Sequence, residues 1–190
     1  KGEPVTLPSA NTIADGTAVK RVGETIFPYC KENIHKIITV DDNELIGAFL
    51  DMVENHKMIV ENSGLLPVAA LSHLDLKDKK AVVVLSGGNM DVITMSSIVQ
   101  HGLIQKDRIF SVSVLLPDKA GELVKVASII AKEKGNVIKL EHNQFVSINR
   151  INAVELRVTM EAYGTEHKFS ILKALEEAGF EPKVVDTKLY

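Results

Sequence analysis

The second half of the chain repeats one local order, a strand followed by a helix and then a strand, and this repetition constrains its fold most. Residues 109–116 alternate between apolar and polar side chains, as a strand with one buried face does. One helix is predicted from Asp118 or nearby to a cap at Gly135, and another from Thr165 to Gly179. Further strands are predicted at 137–146, 153–160 and 183–186. This βαββαβ order predicts a four-stranded antiparallel sheet with both helices on one face.

The apolar positions of these elements form one predicted core. They are Phe110, Val112, Val114, Leu116, Val154, Leu156, Val158 and Met160 in the strands, and Leu123, Val126, Ala127, Ile130, Phe169, Leu172 and Leu175 in the helices. The second face of the sheet is left uncovered, and its apolar share must meet another surface. Pairing with a second copy of the chain is therefore expected, giving a homodimer or tetramer.

The first half favours a layered α/β arrangement with parallel strands. A short strand is predicted at Ile37–Val40 and a buried one at Ala81–Leu85, with helices beginning at Asp41, after Ser63-Gly64 and at Asp91. Asp41 and Glu44 have the spacing of a capping box, and a short helical turn is predicted at 15–21. Two strands are too few for a complete sheet, and residues 1–12 resemble a connecting segment in the middle of a domain. We therefore expect residues 1–106 to be part of a larger domain.

Charge and composition exclude several classes of protein. The chain has 22 basic and 25 acidic residues among 190, with a net charge of −3 and no basic stripe interleaved with aromatics, so nucleic acid is not an expected partner. No membrane span or signal peptide is evident. The lone Cys30 excludes an intrachain disulfide and favours a reducing cytoplasm. The six histidines lack the spacing of metal ligands, and no metal site is predicted.

A glycine turn, Ser86-Gly87-Gly88-Asn89, follows the predicted strand Ala81–Leu85. Paired glycines at a strand end let the backbone approach a ligand closely, and the serine hydroxyl offers one directed hydrogen bond. Taken alone, the same four residues also describe an ordinary turn.

Three motifs in this order resemble the second half of threonine dehydratase (threonine ammonia-lyase). They are T-I-A-D-G at 12–16, E-N-S-G at 61–64 and S-G-G-N-M-D at 86–91. The resemblance implies a pyridoxal-phosphate enzyme of the tryptophan-synthase β-like fold, known as fold type II. The segment D-K-A-G-E-L at 118–123 resembles the first turn of an ACT regulatory domain, which has the ferredoxin-like βαββαβ order. The implied domains are a C-terminal portion of the catalytic domain at 1–106 and an ACT-like domain at 107–190.

The resemblance assigns cofactor-binding roles residue by residue. Ser86 matches the serine that hydrogen-bonds the pyridine nitrogen, and Gly87, Gly88 and Asn89 complete its turn. Gly16 matches the glycine whose backbone packs beside the cofactor. Glu61 matches the acidic residue of the family's Glu-Gly-Ala-Gly-like loop, although Asn62 and Ser63 depart from that pattern.

Two motifs of the family are absent from these 190 residues. No Ser-Phe-Lys-like segment carries a Schiff-base lysine, and no run of glycines is present to hold the cofactor phosphate. No catalytic residue is therefore assigned in this chain, and we expect the chain alone to be inactive. The complete enzyme is expected to convert threonine to 2-oxobutanoate and ammonia, with serine as a possible second substrate.

The ACT resemblance implies an amino-acid effector, isoleucine first, bound between paired domains. Asp118, Gly121 and Leu123 lie at a turn that offers free helix amides to a carboxylate. Asn136 offers a polar contact to an amino group, and Ile138 offers apolar surroundings. Two alternatives stay open: a non-enzymatic amino-acid-binding sensor module, and a related serine dehydratase or racemase.

Overall fold

The computed structural model describes residues 2–144 and 154–188 of the chain. Those residues form two compact units with the boundary between Gly102 and Leu103. Together they give a mixed α/β protein with one four-stranded sheet. None of the helices within the described ranges combines the length and apolar composition that a membrane crossing requires.

The second unit has the predicted βαββαβ order. Its elements are β1 (Ile109–Leu116), α5 (Glu122–Lys132), β2 (Asn136–Gln144), β3 (Val154–Glu161), α6 (Thr165–Glu177) and β4 (Lys183–Val185). The strands lie in the order β2-β3-β1-β4, and every neighbouring pair is antiparallel. The predicted sheet is thereby confirmed. The part of the predicted second strand at 145–146, and Ala153, fall outside the described residues.

Both helices pack on one face of this sheet. Phe110 and Val112 of β1 and Leu156 of β3 join Val126 of α5 and Ile171 of α6 in one buried cluster. Full burial of each such side chain contributes about 1.5–3 kcal/mol of hydrophobic free energy. Phe169 and Leu123 are exceptions to the predicted core: they are 61% and 37% exposed, because Phe169 lies on the outer side of α6 and Leu123 lies in the exposed first turn of α5.

The face of the sheet away from the helices is mainly polar, which differs from the apolar share expected there. Ser111 and Thr159 share a buried hydrogen bond of 2.8 Å across β1 and β3. Ser113 donates to Glu155 at 2.6 Å, and this hydrogen bond lowers the pKa of Glu155. The register of β2 and β3 brings further charged residues, such as Arg157, to the same face. Exposed apolar side chains of this unit include Val137, Ile138 and Leu140 on edge strand β2, and others lie on β1, β4 and both helices.

The ends of α5 differ in detail from the prediction. The helix begins at Glu122 after an N-cap at Gly121, whose φ of 93° suits glycine, and not at Asp118. At the other end Lys134, with φ 64°, takes the left-handed conformation. Gly135 serves a different need, because a Cβ there would lie 2.8 Å from Cγ2 of Ile130. Its N–H donates to the Ile130 carbonyl at 2.9 Å.

The first unit is helical in its described residues. It contains α1 (Phe27–Asn33), α2 (Asp42–Asp51), a π-helical turn (Met52–His56), α3 (Asn62–Ala69) and the 3₁₀ segments Asp15–Thr17 and Ala70–His73; α4 (Val92–Gln105) extends past the unit boundary. Asp41 and Glu44 form the predicted capping box at α2, with hydrogen bonds of 2.9 and 2.8 Å. Leu45 and Phe49 of α2 are buried against Leu65 of α3.

Both strands predicted in this unit are wrong. Residues 37–40 and 81–85 have no strand pairing, and Val82 and Val84 are 92% and 71% exposed. Extended chain becomes a strand only when a neighbouring strand satisfies its backbone N–H and C=O groups. No such neighbour exists among the described residues of the unit, so the apolar pattern alone did not produce a sheet.

Candidate functional site

The glycine turn at 86–89 lies against the start of α3. The Glu61 N–H donates to the Gly87 carbonyl at 3.4 Å, and the Asn89 N–H donates to Oε2 of Glu61 at 3.3 Å. Gly87 has φ 77°, a conformation that favours glycine. Two segments that are distant in sequence therefore meet at one place, as a shared site requires.

Glycine is needed at this junction because the backbones come into close contact. A Cβ at Gly64 would collide with the carbonyl oxygen of Ser86, and a Cβ at Gly87 would collide with the carboxylate of Glu61. Gly88 differs, since a Cβ there would meet no atom within 4 Å. The turn is thus closed on the side of α3 and open at Gly88.

Gly16 joins the same cluster through the 3₁₀ turn Asp15–Thr17. A Cβ on Gly16 would lie 2.6 Å from Oγ of Ser63 and 3.8 Å from Oε1 of Glu61. The structure therefore brings together Gly16, Glu61 and the turn at 86–89, all of which the sequence singled out for cofactor binding.

Two side chains that sequence reasoning did not assign hold the segment before Gly16. Asp42 accepts hydrogen bonds from the Thr12 hydroxyl at 2.6 Å and the Ile13 N–H at 3.3 Å. Asn62 donates from Nδ2 to the Ile13 carbonyl at 2.9 Å. The departure of Asn62 from the family's loop was the one signal of this contact, whereas Asp42 looked like an ordinary residue in the first turn of α2.

Two polar atoms of the cluster are buried without a hydrogen-bond partner among the described residues. They are Oγ of Ser63 and Oδ1 of Asn62, and Asn62 is only 5% exposed. Buried polar atoms are nearly always satisfied by protein, water or a ligand. An orphaned hydroxyl beside Gly16, together with the open space at Gly88, fits a flat polar ring such as the pyridine of pyridoxal phosphate.

Asp91 fixes where α4 begins, directly after the turn. Its carboxylate accepts hydrogen bonds from the N–H groups of Ile93 and Thr94, at 3.0 and 2.9 Å. Hydrogen bonding from Thr94 lowers the pKa of Asp91. The ionised carboxylate thus anchors the chain two residues beyond Asn89.

The residues expected to bind an effector do not come together within one chain. Asp118, Gly121 and Leu123 line a cavity of about 470 Å³ together with His142 and Gln144 from the far end of β2. Asn136 begins β2 and lines a different cavity, while Ile138 is 45% exposed on the strand. Because β2 has nine residues, its two ends lie roughly 25 Å apart.

Comparison with known proteins places both halves of the sequence among related enzymes. The chain is similar to an L-threonine ammonia-lyase of Geobacter sulfurreducens, with 34% identity over 95% of this chain and 45% of the relative. An L-threonine ammonia-lyase of Thermotoga maritima is 31% identical over 92% of this chain and 44% of the relative. A solved threonine deaminase of Solanum lycopersicum, isoform 2 in its processed form, has 28% identity over 50% of this chain and 29% of that chain, with a TM-score of 0.44. The chain therefore spans less than half the length of these two curated relatives.

The family match covers the segment that contains most of the glycine cluster. Residues 1–87 match the family described as pyridoxal-phosphate dependent enzyme, and they include Gly16, Glu61, Ser86 and Gly87. This family uses the cofactor that the site geometry fits. Residues 1–87 of the chain therefore belong to the family of pyridoxal-phosphate dependent enzymes.

Proposed function

We propose that this chain is the C-terminal portion of a pyridoxal-phosphate-dependent threonine ammonia-lyase. Residues 1–106 supply one side of the catalytic site, and residues 107–190 form an ACT-type regulatory domain. The convergence of Gly16, Glu61 and the turn at 86–89 beside the orphaned hydroxyl of Ser63 carries the proposal. Similarity to two L-threonine ammonia-lyases over more than nine-tenths of the chain supports it.

The complete enzyme removes ammonia from L-threonine and leaves 2-oxobutanoate. When bound, pyridoxal phosphate supplies an electron sink for the electron pair left by removal of the α-proton. Ser86 would present a neutral hydroxyl to the ring nitrogen of the bound cofactor, and a neutral partner would not hold that nitrogen protonated as a carboxylate would. The cofactor would then be a weaker electron sink, which would favour loss of the β-hydroxyl over transamination.

Glu61 and the glycines shape the turn and the space in which the cofactor would lie. The Glu61 carboxylate accepts a hydrogen bond from the Asn89 N–H, so the turn that carries Ser86 keeps its conformation whether or not a ligand is bound. Gly88 leaves open space beside the turn for a flat ring, and Gly16 lets Ser63 approach its backbone closely. Asn62 and Asp42 hold the Thr12–Gly16 segment against α2 and α3, which keeps the Gly16 backbone in place.

The second unit is proposed to respond to an amino acid, with isoleucine as the first candidate. Asp118, Gly121 and Leu123 surround the start of α5, where the N–H groups of the first helical turn attract a carboxylate. Asn136 and Ile138 reach this site only from a second copy. Edge strand β2, with Val137, Ile138 and Leu140 partly exposed along it, offers a surface for such pairing.

Production of 2-oxobutanoate from L-threonine tests the catalytic part. The 190 residues are to be assayed alone and joined to the segment that occupies the first half of the longer relatives. We expect the joined protein to need pyridoxal phosphate for activity, the chain alone to be inactive, and Ser86→Ala to lower kcat. Absence of 2-oxobutanoate from a folded, cofactor-loaded joined protein contradicts the proposal. Amino-acid binding without any such activity would favour the sensor module instead.

A further inference from the structure

Helix α2 holds the segment that leads to Gly16. Asp42, in the first turn of α2, accepts the Ile13 N–H with both carboxylate oxygens, each at 3.3 Å, and the Thr12 hydroxyl at 2.6 Å. Hydrogen bonds to an ionised carboxylate are roughly twice as strong as those between neutral groups. Ile13 lies three residues before Gly16 in the chain. The N-terminal end of α2 therefore fixes the backbone that reaches the proposed cofactor site.

Helix α3 holds the same residue at its carbonyl group. The Asn62 side chain donates to the Ile13 carbonyl at 2.9 Å, and Asn62 is only 5% exposed. The two helices also pack on each other, because Leu45 and Phe49 of α2 and Leu65 of α3 share one buried cluster. Both hydrogen bonds on Ile13 thus come from one packed pair of helices.

The face of α2 that carries Asp42 meets α4 at a glycine. A Cβ on Gly102 of α4 would lie 2.5 Å from Cδ1 and 2.8 Å from Cγ of Leu50, and 3.1 Å from Cγ2 of Ile46. Leu50 is 2% exposed, so its side chain has little room to turn away. Asp42, Ile46 and Leu50 follow one another at intervals of four residues, which places them along one face of the helix. This face therefore contacts Ile13 at one end and α4 about 12 Å further along.

Helix α4 carries the chain out of the first unit. It begins at Val92, after the glycine turn, and ends at Gln105, past the unit boundary between Gly102 and Leu103. Ile98 of α4 is 5% exposed and lies in the same buried cluster as the core residues of α2. A displacement of α4 at this contact strains α2, because well-packed interiors transmit strain.

We propose that α2 is a positioning element for the cofactor site and couples that site to α4. A shift of α4 at Gly102 displaces Leu50, α2 moves as a rigid body, and Asp42 carries the segment before Gly16 with it. The cofactor affinity of the first unit thereby depends on the place where the chain leaves that unit. The effect on the cofactor rests on the proposed function, whereas the coupling between Gly102 and Ile13 does not.

Amide hydrogen exchange of the whole chain tests the coupling without a cofactor. Gly102→Ala pushes on Leu50. Gly47→Ala adds the same methyl group within α2, where no atom lies within 4 Å of it, and is the matched control. Far-UV circular dichroism checks that both variants are folded.

Two backbone amides are compared. The Ile13 N–H reports on the contact with Asp42, and the Cys30 N–H, which is hydrogen-bonded to the N-cap residue of α1, reports on general loosening of the first unit. We expect Gly102→Ala to speed exchange at Ile13 fivefold or more and at Cys30 less than twofold, and the control variant to leave both unchanged. Equal acceleration at Ile13 and Cys30, or none at Ile13, overturns the coupling.

Cofactor affinity tests the role of α2 at the site, in the protein joined to the segment that occupies the first half of the longer relatives. We expect Gly102→Ala and Asp42→Ala each to weaken pyridoxal-phosphate binding fivefold or more. Because both act through the same contact, the double variant is expected to bind as weakly as Asp42→Ala alone, whereas independent effects multiply.

Two results overturn the role of α2 at the cofactor site. One is wild-type cofactor affinity in Gly102→Ala, and the other is multiplied effects in the double variant. Failure of the unsubstituted joined protein to bind the cofactor contradicts the proposed function instead, and the exchange measurement still decides the coupling between Gly102 and Ile13.

Discussion

The carboxylate of Glu61 accepts the backbone N–H of Asn89 at 3.3 Å, which ties the start of α3 to the glycine turn 28 residues later. The same carboxylate fills the space where a side chain on Gly87 would lie. One acidic side chain therefore both shapes the turn and requires a glycine within it. This relationship makes Glu61 and Gly87 an energetically coupled pair.

Gly87→Ala is expected to destabilise the first unit by about 2 kcal/mol. Part of the cost is the left-handed φ, about 1–2 kcal/mol for a residue with a Cβ, and the rest is the collision with Glu61. In the double variant Glu61→Ala/Gly87→Ala the collision is gone, so the loss is smaller than the sum of the single losses by about 1 kcal/mol. Urea unfolding of the four proteins measures this coupling. Strictly additive losses would show that the two residues do not interact.

Asp107 stabilises the start of α6. Its carboxylate accepts hydrogen bonds from Nζ of Lys168 at 2.7 Å and from the Thr165 hydroxyl at 2.9 Å. The residues remain partly exposed, so we expect Asp107→Ala to lower the free energy of unfolding by about 1 kcal/mol at pH 7. Urea unfolding of Asp107→Ala beside Asp186→Ala, an exposed aspartate near β4, measures the loss.

The effect of Asp107 depends on pH in a defined direction. The hydrogen bond from Lys168 is the main reason that the pKa of Asp107 lies below its ordinary value of 3.8. A carboxyl with a lowered pKa in the folded state stabilises fully above its unfolded pKa and loses that contribution as the pH falls through the folded pKa. The difference between wild type and Asp107→Ala should hold from pH 7 to 5 and shrink below 3.8. A difference that grows on acidification contradicts this account.

Lys134 and Gly135 are expected to respond to substitution in opposite directions. Lys134→Gly relieves a left-handed residue at the end of α5 and stabilises the second unit by about 0.5–1 kcal/mol. Gly135→Ala puts a Cβ 2.8 Å from Cγ2 of Ile130 and 3.1 Å from Cδ1 of Ile171, and overpacking of this kind costs about 1–3 kcal/mol. Thermal unfolding of the two variants measures both changes in stability. Stabilisation by Gly135→Ala would show that the core accommodates the added methyl group without strain.

Local signals in the sequence predicted local structure well. The capping box of Asp41 and Glu44 spans three residues, and both of its hydrogen bonds form. Alternation over Ile109–Leu116 identified β1 because the buried face of a strand repeats every two residues. The sequence favours Gly135 as the left-handed cap of α5, because glycine is the usual residue there. The structure gives that conformation to Lys134, since packing against Ile130 decides where glycine is needed.

Features that depend on distant residues were harder to predict. The apolar run Ala81–Leu85 resembles a strand, but a strand forms only with a partner, which the described part of its unit does not supply. Asp42 holds Ile13 across 29 positions, and nothing in either local sequence indicates that contact. The convergence of Gly16, Glu61 and Gly87 could be expected only from family resemblance, because their spacing in sequence carries no geometric information.

The cofactor affinity of two glycine-to-alanine variants tests most directly whether the turn at 86–89 binds the cofactor. A Cβ at Gly88 or at Gly47 of α2 meets no protein atom within 4 Å, so alanine is tolerated sterically at both positions. In the complete enzyme, pyridoxal-phosphate retention after dialysis is to be measured from the absorbance of the bound cofactor for Gly88→Ala and Gly47→Ala. We expect Gly88→Ala to weaken cofactor binding tenfold or more and Gly47→Ala to leave it unchanged. Wild-type cofactor affinity in Gly88→Ala would contradict this expectation.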